Sequence, residues 1–324
     1  MPRRRLVITM AVALTAGLLW SGSPVTAGTP PQAGATQRVD DCPEPDVFCD
    51  FGVPYGPRDI QTLDVIVPAA MDGAPSVIVI HGGGWTGGTS EKLRSQSIYF
   101  AQNGLASFSI NYTLSTALKP SWPQAFVDVK LAARWIKGNA STYGADGTRL
   151  AAFGGSAGGH LATLLDTAAP PASSPVTAVA WSGPMELRTG FSEAQPKQQG
   201  TVRRFLGCVP NEDGSADPDF CQNNEDLAAS PARHVTADDG PVLFFNSPNE
   251  IVPLDSALLM DQALADAGVP HLFVETTGAK HSVVYQCDVE TVLGVSAPVI
   301  DGTVRWLSRA LTGQATRPTG TFCP

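Results

Sequence analysis

The chain has 324 residues, 43% of them hydrophobic, a formal net charge of -9 and a pI near 5.0. No run of lysines or arginines follows the first few residues, so the clustered positive charge that nucleic-acid binding requires is missing. The length and apolar content suffice for one large folded domain with a sizeable core.

The amino terminus has the pattern of a secretory signal peptide. Arginines at positions 3–5 precede an apolar stretch that runs to Trp20, and small residues end the segment at Ala27. The apolar stretch is shorter than the roughly 20 residues that a membrane-spanning helix needs. We therefore expect residues 1–27 to be removed, and the mature protein to be secreted into the extracellular space without a permanent membrane anchor.

Disulfide bonds are the expected state of the six cysteines in an extracellular chain. Spacing alone does not exclude other connectivities, but proximity favours the pairs Cys42–Cys49, Cys208–Cys221 and Cys287–Cys323. Zinc is the alternative for such a set, yet the chain has no C-x-x-C pair and no closely spaced pair of histidines. We expect no metal.

Apolar patterning predicts strands that alternate with helices. Short β-branched and apolar runs predict strands at 62–67, 76–80, 106–112, 150–153, 176–181, 242–246 and 271–275. Helical patterns lie at 91–102, 122–139, 156–167, 254–267 and 297–311. This alternation predicts an α/β fold with a mainly parallel central sheet covered by helices on both faces.

Two regions fall outside the alternation. Residues 28–50 are expected to form a flexible lead-in with two cysteines, followed by a single domain over residues 51–324. Within that domain, residues 183–240 are rich in Pro, Gly, Asp and Asn, and long irregular insertions are functional or surface features. Because the insertion follows a strand, we expect it to form a small cap over a pocket, held by a disulfide bond between Cys208 and Cys221. The alternative is a solvent-exposed surface insertion that does not cover a pocket.

The stretch from 150 to 160 reads LAAFGGSAGGH and contains Gly-x-Ser-x-Gly centred on Ser156. It predicts a strand, a sharp turn and a helix, with the serine strained at the apex and glycines where the returning helix passes closely. The hydroxyl would then lie at a helix N-terminus, where backbone N–H groups and the helix dipole favour a developing negative charge. A glycine-rich chain also produces this pentapeptide by chance, so the motif needs support from elsewhere in the chain.

Support comes first from the sequence HGGGW at residues 81–85, directly after a predicted strand. Gly83 and Gly84 are candidates to bind an oxyanion, because glycines let backbone N–H groups approach a ligand closely. Ala157, the residue after Ser156, supplies a second donor by position. A phosphate-binding loop is the alternative, but neither G-x-G-x-x-G nor G-x-x-x-x-G-K-[ST] is present there.

Together with N-Y-x-L at 111–114 and GAKH at 278–281, these motifs resemble the α/β-hydrolase superfamily in order and spacing. Within it they are similar to esterases with an HGGGW oxyanion turn, a group that includes acetyl-xylan and feruloyl esterase-like and hormone-sensitive-lipase-like enzymes. The resemblance covers about residues 60–311. It implies an α/β-hydrolase fold, no cofactor, and a triad in the chain order Ser, Asp or Glu, His, with Ser156 as nucleophile and His281 as base.

The triad acid is open at this point. The segment 246–253 reads NSPNEIVP and places Asn249 where relatives often have Asp in a pattern like D-x-x-V-P. Asparagine cannot hold a negative charge beside the imidazolium that forms during catalysis. Glu250 is the preferred acid; Asp255 is the alternative, although it also fits the start of the following helix. His281 lies in a loop after the last predicted strand, as a base should. The other histidines are expected to be structural or surface residues: His81, His160, His234 and His271.

The sequence thus predicts a secreted serine esterase that acts through an acyl-enzyme, on acetyl or feruloyl esters of plant polysaccharide or, alternatively, on a broad range of short-chain carboxylic esters. Trp85 and Trp181 are candidates to line its pocket, with core packing as the alternative for at least one of them. A catalytically inactive binding protein is the alternative from another class. Asn249 favours it if Glu250 does not reach His281.

Overall fold

The computed structural model describes Cys42, residues 44–192 and residues 194–323. The predicted signal peptide lies outside these described residues. Within them, no helix combines the length and the apolar character needed to cross a membrane.

A sheet of eight strands forms the centre of the fold. Its strands are β1 (Val47–Pro54), β2 (Thr62–Pro68), β3 (Ala74–Ile80), β4 (Ala106–Ile110), β5 (Ala145–Gly155), β6 (Ala178–Trp181), β7 (Val242–Asn246) and β8 (His271–Glu275). Their spatial order is β1-β2-β4-β3-β5-β6-β7-β8. All pairs from β4 to β8 are parallel, whereas β1 with β2 and β2 with β4 are antiparallel. The predicted mainly parallel sheet is confirmed.

Seven α-helices are described: α1 (Arg94–Gln102), α2 (Gln124–Asn139), α3 (Ala157–Ala168), α4 (Pro196–Leu206), α5 (Glu225–Ala228), α6 (Leu254–Ala267) and α7 (Val299–Thr312). Short 3-10 helices lie at Ser90–Leu93, Ala140–Tyr143, Pro231–Arg233 and Ser282–Tyr285. A separate hairpin joins β9 (Val289–Val292) to β10 (Val295–Pro298) just before α7.

Strand β3 shows why the helices lie on both faces. Every residue of β3 is buried, and successive side chains of a strand point to opposite faces. Val77 and Val79 belong to a core cluster with residues of α1 and α7, whereas Ile78 and Ile80 belong to one with residues of α2 and α3. Burial on both faces explains the continuous apolar run in the sequence.

The lead-in differs from the prediction at its end. Residues 47–50, predicted to be flexible, begin β1, which pairs with β2 from Val47 opposite Pro68. The register shifts between Asp50 and Val53, and this irregularity hides the alternation of a strand in the sequence. The Cys42–Cys49 bond ties the preceding segment to β1.

The insertion at 183–240 is less irregular than predicted, because it contains α4 and the short α5. Helix α4 has Pro196 at its start, and Gly207 ends it with a left-handed φ of 82°. These two residues, which the sequence suggested as loop formers, are the boundaries of a helix. The Cys208–Cys221 bond follows α4. Since Cys287 pairs with Cys323, all three predicted disulfides are present.

Candidate active site

Ser156 occupies a strained turn between β5, which ends at Gly155, and α3, which begins at Ala157. Its φ of 56° and ψ of -125° are unfavourable for a residue with a side chain. Two backbone hydrogen bonds hold this conformation: the Ser156 N–H donates to the Trp181 carbonyl at 2.7 Å, and its carbonyl accepts from the His160 N–H at 3.0 Å. The turn therefore presents the serine at the N-terminus of α3.

Close packing explains the glycines of this turn. A Cβ on Gly154 would lie 2.3 Å from the carbonyl carbon of Gly158, and a Cβ on Gly158 would lie 1.9 Å from the carbonyl oxygen of Ile80. Real Cβ atoms do not approach backbone so closely, so α3 can pass beside β5 and β3 only without side chains at these positions.

The glycine turn at 81–85 lies against the serine. A Cβ on Gly82 would be 3.1 Å from the Ser156 Cβ, and Gly83 and Gly84 adopt φ angles of 126° and 59°. Within the described part of the chain, the N–H groups of Gly83 and Gly84 donate no hydrogen bond, and both residues line the pocket that contains Ser156. Unsatisfied amides at a pocket wall are suited to bind an oxyanion. Ala157 adds the first N–H of α3, which has no acceptor within the helix.

His281 and Glu250 are in direct contact. The His281 Nδ1 is hydrogen-bonded to the Glu250 Oε2, and the Glu250 side chain has 0% exposure. The other carboxylate oxygen, Oε1, accepts from the Ser247 N–H at 2.9 Å, and the Gln195 Nε2 donates to the Glu250 carbonyl at 3.2 Å. With Nδ1 engaged by the carboxylate, Nε2 is the ring nitrogen left to accept a proton.

The structure distinguishes the two candidates for the acid, Glu250 and Asp255, and shows where Asn249 lies. Asn249 is exposed at the pocket wall, and Asp255 is exposed in the first turn of α6. Only Glu250 of these three is paired with the His281 ring among the described contacts. Glu250 follows Asn249, which occupies the position of the expected aspartate, and the longer glutamate side chain reaches the imidazole from there.

Ser156, His281 and Glu250 line one pocket of about 700 Å³. The described contacts do not include a hydrogen bond between the Ser156 hydroxyl and the His281 ring, and such bonds often tighten only when a substrate is bound. The insertion supplies part of the pocket wall through Gln195, Lys197, Gln198 and Thr201. Sequence reasoning missed these residues and Lys92. The apolar spacing of Val202, Phe205 and Leu206 was the available signal for α4.

Residues 63–264 match the BD-FAE family model. The chain belongs to the BD-FAE family. The chain is similar to two proteins of Mycobacterium tuberculosis. It is 29% identical over 228 residues to the probable carboxylic ester hydrolase LipM, and this alignment covers 64% of this chain and 49% of LipM. It is 28% identical over 245 residues to the esterase LipQ, covering 71% of this chain and 56% of LipQ. The chain thus spans about half the length of these curated relatives.

A solved structure supports the same fold. The native thermophilic esterase Est2 of Thermogutta terrifontis aligns with a TM-score of 0.56 and 25% identity, over 73% of this chain and 83% of that one. The predicted α/β-hydrolase fold is therefore confirmed for this BD-FAE family member.

Trp85 and Trp181 do not line the pocket of this BD-FAE protein, with 1% and 0% exposure. The Trp85 Nε1 donates to the His160 Nδ1 at 3.3 Å, and its ring stacks on Phe205 of α4 at 4.5 Å between centroids. The Trp181 Nε1 donates to the Thr303 hydroxyl at 3.1 Å. The pocket role considered for the two tryptophans is therefore wrong: both pack in the core, one beneath the insertion and the other against α7.

Two further histidines are buried structural residues, as expected. Burial lowers the pKa of His81 and of His160 to about 4. The His81 Nδ1 contacts the Gly82 carbonyl, and the backbone carbonyl of His81 accepts a hydrogen bond from the Tyr112 hydroxyl at 2.8 Å. The His160 Nε2 lies 2.6 Å from the Ala229 carbonyl. His160 thus ties the insertion to α3 and Trp85.

Proposed function

We propose that this protein is a secreted serine esterase that hydrolyses carboxylic esters through Ser156, His281 and Glu250. The observation that carries the proposal is the pairing of His281 with the buried Glu250 in the pocket that contains Ser156. The names of LipM and LipQ, both ester hydrolases, support the reaction class. The three disulfides and the signal-peptide pattern support secretion.

In the proposed reaction, the Ser156 Oγ attacks the ester carbonyl while the His281 Nε2 takes its proton. The negative Glu250 stabilises the imidazolium that forms. Collapse of the tetrahedral intermediate breaks the bond to the alkoxy oxygen, which leaves as the alcohol with the proton from His281. A water molecule then gives a proton to His281 and attacks the acyl carbon. Collapse of this second tetrahedral intermediate breaks the bond to the Ser156 Oγ, which takes the proton from His281, and the carboxylic acid is released.

The oxyanion of each tetrahedral intermediate is held by backbone amides. The free N–H groups of Gly83 and Gly84 and the first N–H of α3, at Ala157, are the proposed donors. Such donors are preorganised for the transition state, and the loss of one costs about 10²–10³ in kcat.

For the substrate, we propose acetyl esters, with acetylated plant polysaccharide as the favoured source and a broad range of short-chain esters as the alternative. No Phe, Tyr or Trp side chain lines the pocket in the described residues, so a feruloyl ring has no such residue to stack on there. Apolar side chains suited to a small acyl group are present at Leu93, Ile251 and Val283. We further propose that the insertion acts as the cap of this pocket.

The test is hydrolysis of 4-nitrophenyl acetate, acetylated xylan and methyl ferulate by the wild type and by Ser156→Ala. We expect rapid turnover of the acetyl esters by the wild type and none by the variant, with an unchanged circular dichroism spectrum. Turnover by folded Ser156→Ala would refute the assignment of the nucleophile. The contact between Glu250 and His281 argues against an inactive binding protein, and a wild type without esterase activity would support one.

A further inference from the structure

Two lysines line the catalytic pocket without an acidic partner. Lys92 lies in the 3-10 helix Ser90–Leu93, shortly after the glycine turn, and Lys197 lies in the first turn of α4. Both are exposed, and neither ammonium group forms a hydrogen bond or an ion pair with any described residue. By contrast, Lys280 pairs with Asp288 outside the pocket lining. The two pocket lysines are therefore available to a ligand.

The charge balance of the pocket is positive. Among its described lining residues the only carboxylate is Glu250, which is buried and engaged by His281. Asn249, also at the wall, is neutral where the sequence pattern of relatives suggested an aspartate. The described lining therefore carries two exposed lysine charges against one buried carboxylate, a formal balance of +1, on a chain of net charge -9. A local positive field in an acidic protein attracts and orients anionic ligands.

The position of α4 brings Lys197 close to the reacting centre. A Cβ on Gly84 would lie 2.8 Å from the Thr201 Cγ2, so this part of α4 packs on the proposed oxyanion turn. Lys197 is four residues earlier and lies on the same face of the helix, about 6 Å along its axis. A lysine side chain spans that distance, so its ammonium group can meet a group attached near the ester.

We propose that the physiological substrate carries a carboxylate near its ester bond and that Lys92 and Lys197 bind this carboxylate. The inference rests on the proposed esterase function and specifies its substrate class. Ammonium groups on flexible stems bind a carboxylate as point charges. The carboxylate belongs either to a small organic acid or to a sugar acid of an acidic polysaccharide, and the test below distinguishes these sources.

The first experiment compares two acetyl esters of the same shape, 4-acetoxybenzoate and the neutral 4-acetoxybenzamide, by their kcat/KM. We expect the wild type to prefer the anion by about two- to 25-fold at low salt, because each solvent-exposed ion pair contributes about a 1.4- to fivefold effect. Lys92→Gln and Lys197→Gln should each lower the ratio by about that factor, and the double variant should lower it by about the product of the two single effects. High salt should weaken the preference by screening, and Lys197→Arg should retain it.

Arg317→Gln is the matched control, since Arg317 is exposed and outside the pocket lining. It removes one positive charge and should leave the ratio unchanged. A wild type without preference for the anion, or lysine variants that change the ratio no more than this control, would overturn the inference and leave the esterase function standing. Failure of the wild type to hydrolyse either ester would overturn both.

The second experiment measures acetate release from acetylated polygalacturonate and from acetylated xylan. Release from the acidic polymer that falls in the double lysine variant supports the inference and identifies a sugar acid as the source. Lysine-dependent preference for 4-acetoxybenzoate without release from the polymer supports it and identifies a small acid. Release from xylan that exceeds release from polygalacturonate, together with no preference between the small esters, contradicts it.

Discussion

Glu250→Gln is the substitution that probes the proposed triad most selectively. The carboxylate is buried, and its two oxygens have separate partners, the Ser247 N–H and the His281 Nδ1. Glutamine retains the shape of glutamate and its carbonyl can still accept from Ser247. Its NH₂ group then faces Nδ1, which favours the tautomer that carries the proton on Nε2. That nitrogen can no longer accept the proton of Ser156, and the imidazolium loses its negative partner.

The size of the effect follows from these two losses. Removing the charge and reversing the tautomer in a serine triad costs about 10⁴ in kcat, and general acid–base catalysis as a whole contributes about 10²–10⁴. We therefore expect kcat on 4-nitrophenyl acetate to fall by about 10²–10⁴, which corresponds to about 3–5 kcal/mol of transition-state stabilisation. KM should change little, because Glu250 contacts the base and not the substrate.

Two neighbouring substitutions provide the controls. Asp255→Asn removes an exposed carboxylate in the first turn of α6 and should keep wild-type kcat. Asn249→Asp combined with Glu250→Gln should not restore activity, because the shorter side chain starts from an exposed position at the pocket wall. A Glu250→Gln enzyme that retains kcat within about threefold, or an Asp255→Asn enzyme that loses activity, would refute this account of the acid.

Three further substitutions test the fold around the site. Burial, followed by the nearby charge of Asp239, raises the pKa of Asp166 well above its ordinary value. Ionised Asp166 therefore lowers the stability of the folded state once the pH exceeds the pKa that this carboxyl has in the unfolded chain. Asp166→Asn should raise the urea midpoint at pH 7 and change it little near pH 3, and equal shifts at the two pH values would contradict the reasoning. Gly158→Ala should prevent folding to a soluble protein, because its Cβ would lie 1.9 Å from the Ile80 carbonyl oxygen; a soluble variant with normal melting temperature would argue against the close packing. Replacing Cys208 and Cys221 by serine should lower the free energy of unfolding by about 2–3 kcal/mol in urea titrations, since the bond closes a loop with a sequence separation of 13, and an unchanged free energy would contradict this.

Much of the fold was predictable because its strands are buried on both faces and its turns require glycine. The run at 76–80 and the glycines around Ser156 are constrained by local packing that leaves a clear pattern in the sequence. Strand β1 was missed because a register shift interrupts its alternation. Helix α4 was missed because Pro196 and Gly207, which lie at its two ends, are also typical of loops.

The site was predictable where backbone geometry dictates residue type and less so where side chains meet across the fold. The choice between Glu250 and Asp255 depends on which carboxylate reaches His281. This is decided by how the segment after β7 and the loop after β8 lie relative to each other, which the sequence pattern does not give. The burial of Trp85 beneath α4 depends on a helix that the sequence did not reveal. The wall formed by Lys197 and Thr201 was missing from the sequence interpretation for the same reason.

Covalent labelling with paraoxon, followed by peptide mass spectrometry, tests the central claim most directly. Paraoxon transfers a diethylphosphoryl group to an activated serine. We predict one adduct, on the peptide that contains Ser156, with loss of esterase activity in proportion to labelling and no adduct in Ser156→Ala. An adduct on another residue, or a fully labelled Ser156 in a protein that still hydrolyses 4-nitrophenyl acetate, would contradict the proposed nucleophile.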